Sequence, residues 1–170
     1  NKDEYFLASI HREENIDSEE NFSDLISSLN AIAKHFKKRI IFSTHPRTRN
    51  KIDSIKEMNL DKKIEIMKPL GLFDYIKLQM DSYCVISDSG TITEESSILR
   101  FPAITIRQAH ERPEGMDEGT LIMTGLKKEN IIDSINVVVE QSKSSGSRIV
   151  GDYDVAVSYT HLRAHETVVY

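Results

Sequence analysis

The segment Ser87-Asp88-Ser89-Gly90-Thr91 follows the apolar run Tyr83-Cys84-Val85-Ile86 and precedes a helical pattern. Such a strand, turn and helix presents backbone N–H groups at a helix start, where the helix carries partial positive charge. That end suits a phosphate. Ser89 and Thr91 add hydroxyl donors, and Gly90 lets a ligand approach the backbone closely. Glu94 and Glu95 lie one turn further in, where a carboxylate can accept from two vicinal ribose hydroxyls. Read alone, the same residues also describe an ordinary capped helix with acidic residues favoured by its dipole.

Four other turns carry groups of the same kind. They are His11-Arg12-Glu13-Glu14-Asn15, Thr44-His45-Pro46-Arg47-Thr48-Arg49, Lys68-Pro69-Leu70-Gly71, and Arg107 to Gly115 with its Glu111-Arg112-Pro113-Glu114. Each taken singly could be a solvated surface turn. Together they place His, Arg and Gly on several separate loops. The histidines are scattered and no Cys pair accompanies them, so metal ligation is not expected. The acids from Asp17 to Glu20 read as the start of a helix.

The elements that position these loops alternate. Tyr5 to Ile10, Arg39 to Ser43, Ile64 to Met67, Tyr83 to Ser87 and Ala103 to Ile106 read as buried strands, with Leu121 to Met123 a further short one. Helices are expected at Ser18 to Phe36, Arg49 to about Met58, Leu72 to Met80, Thr93 to Leu99 and Lys128 to Gln141. In the first of these, Phe22, Leu25, Ile26, Leu29, Ile32, Ala33 and Phe36 recur at helical spacing. Ser18 with Asn21, or Asp17 with Glu20, could cap its start. Arg107 to Glu118 reads as a charged, proline-containing loop. Strand and helix in alternation predict βαβ units around a parallel sheet in an α/β, three-layer, Rossmann-like fold. The near-continuous apolar strands fit a sheet covered on both faces. In such sheets ligands bind beyond the carboxyl ends of the strands, which puts all five loops on one rim.

The 170 residues suffice for one domain, with 39% hydrophobic and 29% charged residues and no tryptophan. A net charge of -5 argues against a nucleic-acid partner and says little about a local phosphate pocket. The lone Cys84 excludes a disulfide framework and fits a reducing cytoplasm. No apolar stretch approaches the roughly 20 residues of a membrane span, and no signal peptide is visible. The chain starts at Asn1 as if cut just before a core strand. From Val157 onward it resembles the in-frame translation of a transposase-type sequencing adapter. Residues 1–156 are therefore expected to form the domain and 157–170 a non-native tail, with His161 and His165 outside any site.

The run of HREEN, SDSGTITEES and HERPEG, in this order, resembles the non-hydrolysing UDP-N-acetylglucosamine 2-epimerase family over roughly Glu4 to Val155. The resemblance implies the carboxyl-terminal half of a glycosyltransferase-B-type fold, with substrate in the cleft between two domains. HPRTRN, the full HERPEG and DSGTITEESSI look more like the capsule-pathway branch, which converts UDP-2-acetamido-2,6-dideoxy-L-talose to UDP-N-acetyl-L-fucosamine. By resemblance His11 and Arg12 are catalytic and face the sugar diphosphate, and Ser89, Gly90 and Thr91 hold the phosphates. Glu95 matches the ribose-binding glutamate and Tyr75 the aromatic position of the uracil pocket. His45, Arg112 and Glu114 complete the implied substrate contacts. Thr91, Thr93 and His110 depart from the family's usual glycine, glutamine and threonine, which suggests a changed sugar specificity. The family eliminates UDP across C1–C2 to give a glycal, and re-addition, with the proton returning to C2 on the other face, inverts that carbon. Its catalytic carboxylates lie in the amino-terminal domain, so this chain alone is expected to be inactive. The resemblance also implies no cofactor, no metal, no nucleic acid, no membrane, and a homodimer for the whole protein. A glycosyltransferase of the same architecture, or a non-catalytic nucleotide-sugar sensor, would share the DSG turn.

Overall fold

The apolar runs assemble into one sheet of six strands. The computed structural model describes residues 1–55, 59–107 and 121–145. The strands are β1 (Tyr5–Ser9), β2 (Arg39–Ser43), β3 (Ile64–Met67), β4 (Cys84–Ser87), β5 (Ala103–Thr105) and β6 (Leu121–Met123). All pairings are parallel, in the order β3-β2-β1-β4-β5-β6. The chain moves outward from β1 to β3, then returns to the other side of β1 to lay down β4. The strand order therefore reverses between β1 and β4, and the crevice beyond their carboxyl ends is where such sheets bind ligands.

Alternation along each strand feeds two cores. From β1, Phe6 and Ala8 enter one cluster while Tyr5 and Leu7 enter the other. The first cluster is covered by α2 (Glu19–Phe36), α3 (Pro46–Ser54) and α6 (Lys128–Ser145), and the second by α4 (Leu72–Asp81) and α5 (Ile92–Leu99). This is the three-layer α/β arrangement expected. The apolar face of α2 is buried at every expected position from Phe22 to Ala33, and Phe36 packs at its edge against Phe6. Full burial of one such side chain contributes about 1.5–3 kcal/mol before chain entropy is counted. The cap of α2 is Ser18, whose hydroxyl accepts from the Asn21 N–H at 3.3 Å.

Three elements differ from expectation. The helix α6 runs on to Ser145 rather than ending at Gln141. A four-residue helix, α1 (Glu13–Ile16), follows β1; it is too short to show a period. And α3 begins at Pro46 rather than Arg49 and ends at Ser54. Proline at the first helical position supplies the required φ and lacks only an N–H that would have no intrahelical partner there. Met58, His110, Arg112, Glu114 and the whole of 157–170 lie outside the described residues. Among the described residues no helix is long and apolar enough to cross a membrane. Cys84 is buried, and that burial pushes its thiol pKa up, as for a small core hydrophobe.

Candidate functional site

At the carboxyl edge of β1 and β4, two loops are joined by one side chain. Asp88 follows β4 directly and is 0% exposed. Its Oδ2 accepts from the Arg12 backbone N–H at 2.9 Å and from Asn15 Nδ2 at 3.0 Å. The His11 N–H lies 3.1 Å from both carboxylate oxygens, and His11 Nδ1 lies 3.2 Å from Oδ1. Arg12 Nε returns a bond to the Asp88 carbonyl at 2.8 Å. A buried carboxylate needs such donors, since an unpaired charge there would cost several kcal/mol. Asp88 lies within the turn expected to hold phosphate. Its side chain instead turns inward and draws the His11 and Arg12 loop against that turn.

The turn itself is pre-shaped. Ser87 Oγ, buried at the end of β4, accepts from the Ser89 N–H at 3.1 Å. Ser89 Oγ accepts from the Thr91 N–H at 3.3 Å and lies 3.0 Å from Thr91 Oγ1. Thr91 precedes α5, and the first turn of that helix has no side-chain cap. Among the described residues no side chain caps the amides of Ile92 and Thr93, an arrangement that suits a phosphate.

Glu95 stands one turn into α5. Its Oε1 accepts from Thr91 Oγ1 and its Oε2 from Gln79 Nε2, both at 2.6 Å. An ionised carboxylate has about four acceptor positions, so it keeps capacity for ligand hydroxyls. Gln79 is buried and was missed in the sequence, because its task is to hold another residue. Tyr75, on α4, is half-buried against the second core. Burial raises the pKa of its hydroxyl; a hydrogen bond with Ser9 opposes this, and the nearby Glu95 and Asp88 reinforce it. The hydroxyl is therefore held towards its neutral form at the carboxyl end of β1.

The β2 loop serves its neighbour. His45 is exposed and caps α3, its Nδ1 accepting from the Arg47 N–H at 3.5 Å. Arg47 reaches across to α1, with Nη1 on Glu13 Oε1 and Nη2 on Asp17 Oδ2, each at 2.6 Å. Thr48 Oγ1 donates to the Ile10 carbonyl at 3.4 Å. Between the ends of β2 and β3 lies a groove of about 500 Å³, lined in part by Thr44, Arg49, Lys68 and Pro69. The structure thus brings together His11, Arg12, Ser89, Gly90, Thr91, Glu95 and Tyr75. His45 stands apart on the same rim. Among the described residues no group of three or more His, Cys, Asp or Glu side chains could hold a metal ion.

Known proteins share this fold and part of this sequence. The chain is 35% identical over 163 residues to the UDP-N-acetylglucosamine 2-epimerase of Methanocaldococcus jannaschii, spanning 87% of this chain and 44% of that protein. The structure of a UDP-N-acetylglucosamine 2-epimerase from Rickettsia bellii superposes with a TM-score of 0.83 at 40% identity, covering 99% of this chain and 45% of that one. The M. jannaschii enzyme solved in complex with UDP-GlcNAc and UDP superposes at 0.80 with 30% identity, covering 96% and 46%. The chain therefore spans a little under half the length of the relatives it matches. With residues 1–159 matching the family described as UDP-N-acetylglucosamine 2-epimerase, the chain belongs to that family.

Proposed function

We propose that residues 1–156 are the UDP-binding half of a cytoplasmic UDP-N-acetylhexosamine 2-epimerase, with 157–170 a foreign tail. The observation that carries this reading is the Asp88 knot, which holds the His11 and Arg12 loop against an uncapped helix start. The diphosphate would sit on Ser89, Gly90, Thr91 and the first amides of α5, with Arg12 and His11 over it. Glu95 would take the ribose hydroxyls and Tyr75 would border the uracil. His45, Arg112 and Glu114 would complete the rim.

In the reaction, a base removes the C2 proton, the C1–O bond to UDP breaks, and C1=C2 forms. The bonding electrons leave on UDP. Re-addition of UDP at C1 and of a proton at C2 from the opposite face inverts that carbon. The residues of this chain would stabilise the departing diphosphate, a task for preorganised cations and amides. The proton would be moved at C2 by carboxylates of the half not present here. The finer assignment, to a 6-deoxy sugar of capsule precursor synthesis, rests on the motif likeness and on Thr91 and Thr93.

Titration calorimetry with UDP tests the reading. Weak but saturable heat is expected for the chain, and none for Asp88→Ala. No heat at millimolar UDP, or epimerisation by this chain alone, would overturn it.

A further inference from the structure

We propose that Asp88 is a positioning residue that fixes His11 as the Nδ1–H tautomer, leaving Nε2 as the nitrogen offered to a ligand. Only donors converge on the two oxygens of Asp88. Two are backbone amides, of His11 and Arg12, and one is the Asn15 side-chain N–H; these cannot become acceptors. The fourth group is His11 Nδ1, 3.2 Å from Oδ1. A carboxylate only accepts, so we assign the hydrogen to the ring nitrogen beside it. In a neutral imidazole the other nitrogen is then bare. Among the described residues Nε2 makes no hydrogen bond, and the His11 side chain is 52% exposed while that of Asp88 is 0% exposed. The ring is thus anchored on its inner side and open on its outer side.

The chemical consequence is that His11 exchanges protons at one atom. When neutral it offers a lone pair at Nε2. When it takes a proton there, it becomes an imidazolium that donates from Nε2, with the Asp88 carboxylate beside the ring. This is the arrangement of a base oriented by a third group. Its relevance to turnover rests on the epimerase reading above; the tautomer does not.

The bonds from Arg12 and Asn15 fall on Oδ2 and the His11 ring on Oδ1, with the His11 N–H shared between the two oxygens, and a test can separate the two tasks. In Asp88→Asn, the amide oxygen in the place of Oδ2 keeps the bonds from Arg12 and Asn15. The amide NH2 then faces Nδ1, which must accept, so the hydrogen moves to Nε2. The experiment is long-range 15N–1H correlation NMR on the histidine-labelled chain, at a pH where the ring is neutral, with His11 assigned by its loss in His11→Gln. Wild type is expected to be predominantly Nδ1–H, Asp88→Asn predominantly Nε2–H, and Asn15→Ala the same as wild type. A wild-type His11 that is mainly Nε2–H overturns the proposal, and that measurement decides even if Asp88→Asn fails to fold. So does an Asp88→Asn spectrum identical to wild type. In the full-length enzyme, Asp88→Asn is expected to lower kcat by about 10²-fold or more with KM little changed. An enzyme with no epimerase activity in any form, yet with the tautomers as expected, would sink the epimerase reading and leave this one standing.

Discussion

The segment from His11 to Asp17 is held from two sides by opposite means. On its inner side it hangs on Asp88, a carboxylate with no exposure whose contacts run from 2.9 to 3.2 Å. On its outer side it is held by Arg47, which reaches Glu13 and Asp17 at 2.6 Å with side chains that are half-exposed or more. The shorter contacts belong to the weaker tie. Exposed ion pairs are screened by water and salt and cost side-chain entropy, so many contribute nothing measurable. A buried carboxylate has no water to replace a lost partner, and its donors are equally committed. Burial, rather than distance, ranks the two.

Removing each anchor tests that ranking. Asp88→Ala strands the buried Asn15 donor and the part-buried His11 and Arg12 amides at once, and urea denaturation is expected to show a loss of about 3 kcal/mol or more. A cost no larger than that of Arg47→Ala would break the comparison. Ser18→Ala removes a half-buried neutral cap from the start of α2, just beyond this segment, and is expected to cost about 1 kcal/mol by the same measurement. It should fall between the two anchors; a cost equal to that of Asp88→Ala would mean that charge and burial at Asp88 add nothing. Arg47→Ala is expected to leave the unfolding midpoint unchanged at physiological salt and to lower it only at low ionic strength. A large, salt-independent drop would show that the outer tie is more than a surface pair.

These anchors also mark what the sequence could and could not reveal. The strands were legible because buried parallel strands are runs of apolar residues, as in Phe6 to Ala8 or Val85 and Ile86. The face of α2 was legible because seven residues repeat at helical spacing. His11, Arg12 and the Ser89 to Thr91 turn were legible as candidates because a parallel sheet gathers the loops after its strands on one rim. Asp88 stands in the quoted turn without a role of its own, since nothing in a local string tells whether a turn carboxylate points outward or inward. The partner that decides it, His11, is 77 positions away. Gln79 carries no local signal and Asn15 shows only as part of its turn, for the same reason: each acts through a residue distant in sequence. The shift of α3 had a local signal, Pro46 after His45, which outweighs the periodicity further along.

The order of the strands has a consequence in time. β1, β2 and β3 follow one another, so their pairings close short loops of chain. The pairing of Phe6 with Cys84 and the bond from His11 to Asp88 join segments nearly half the chain apart. Long closures are entropically costly and come late, after local structure has made them worthwhile. The crevice between β1 and β4 is therefore expected to be among the last parts of the molecule to assemble. During refolding, far-ultraviolet ellipticity should recover before the ability to bind a diphosphate does.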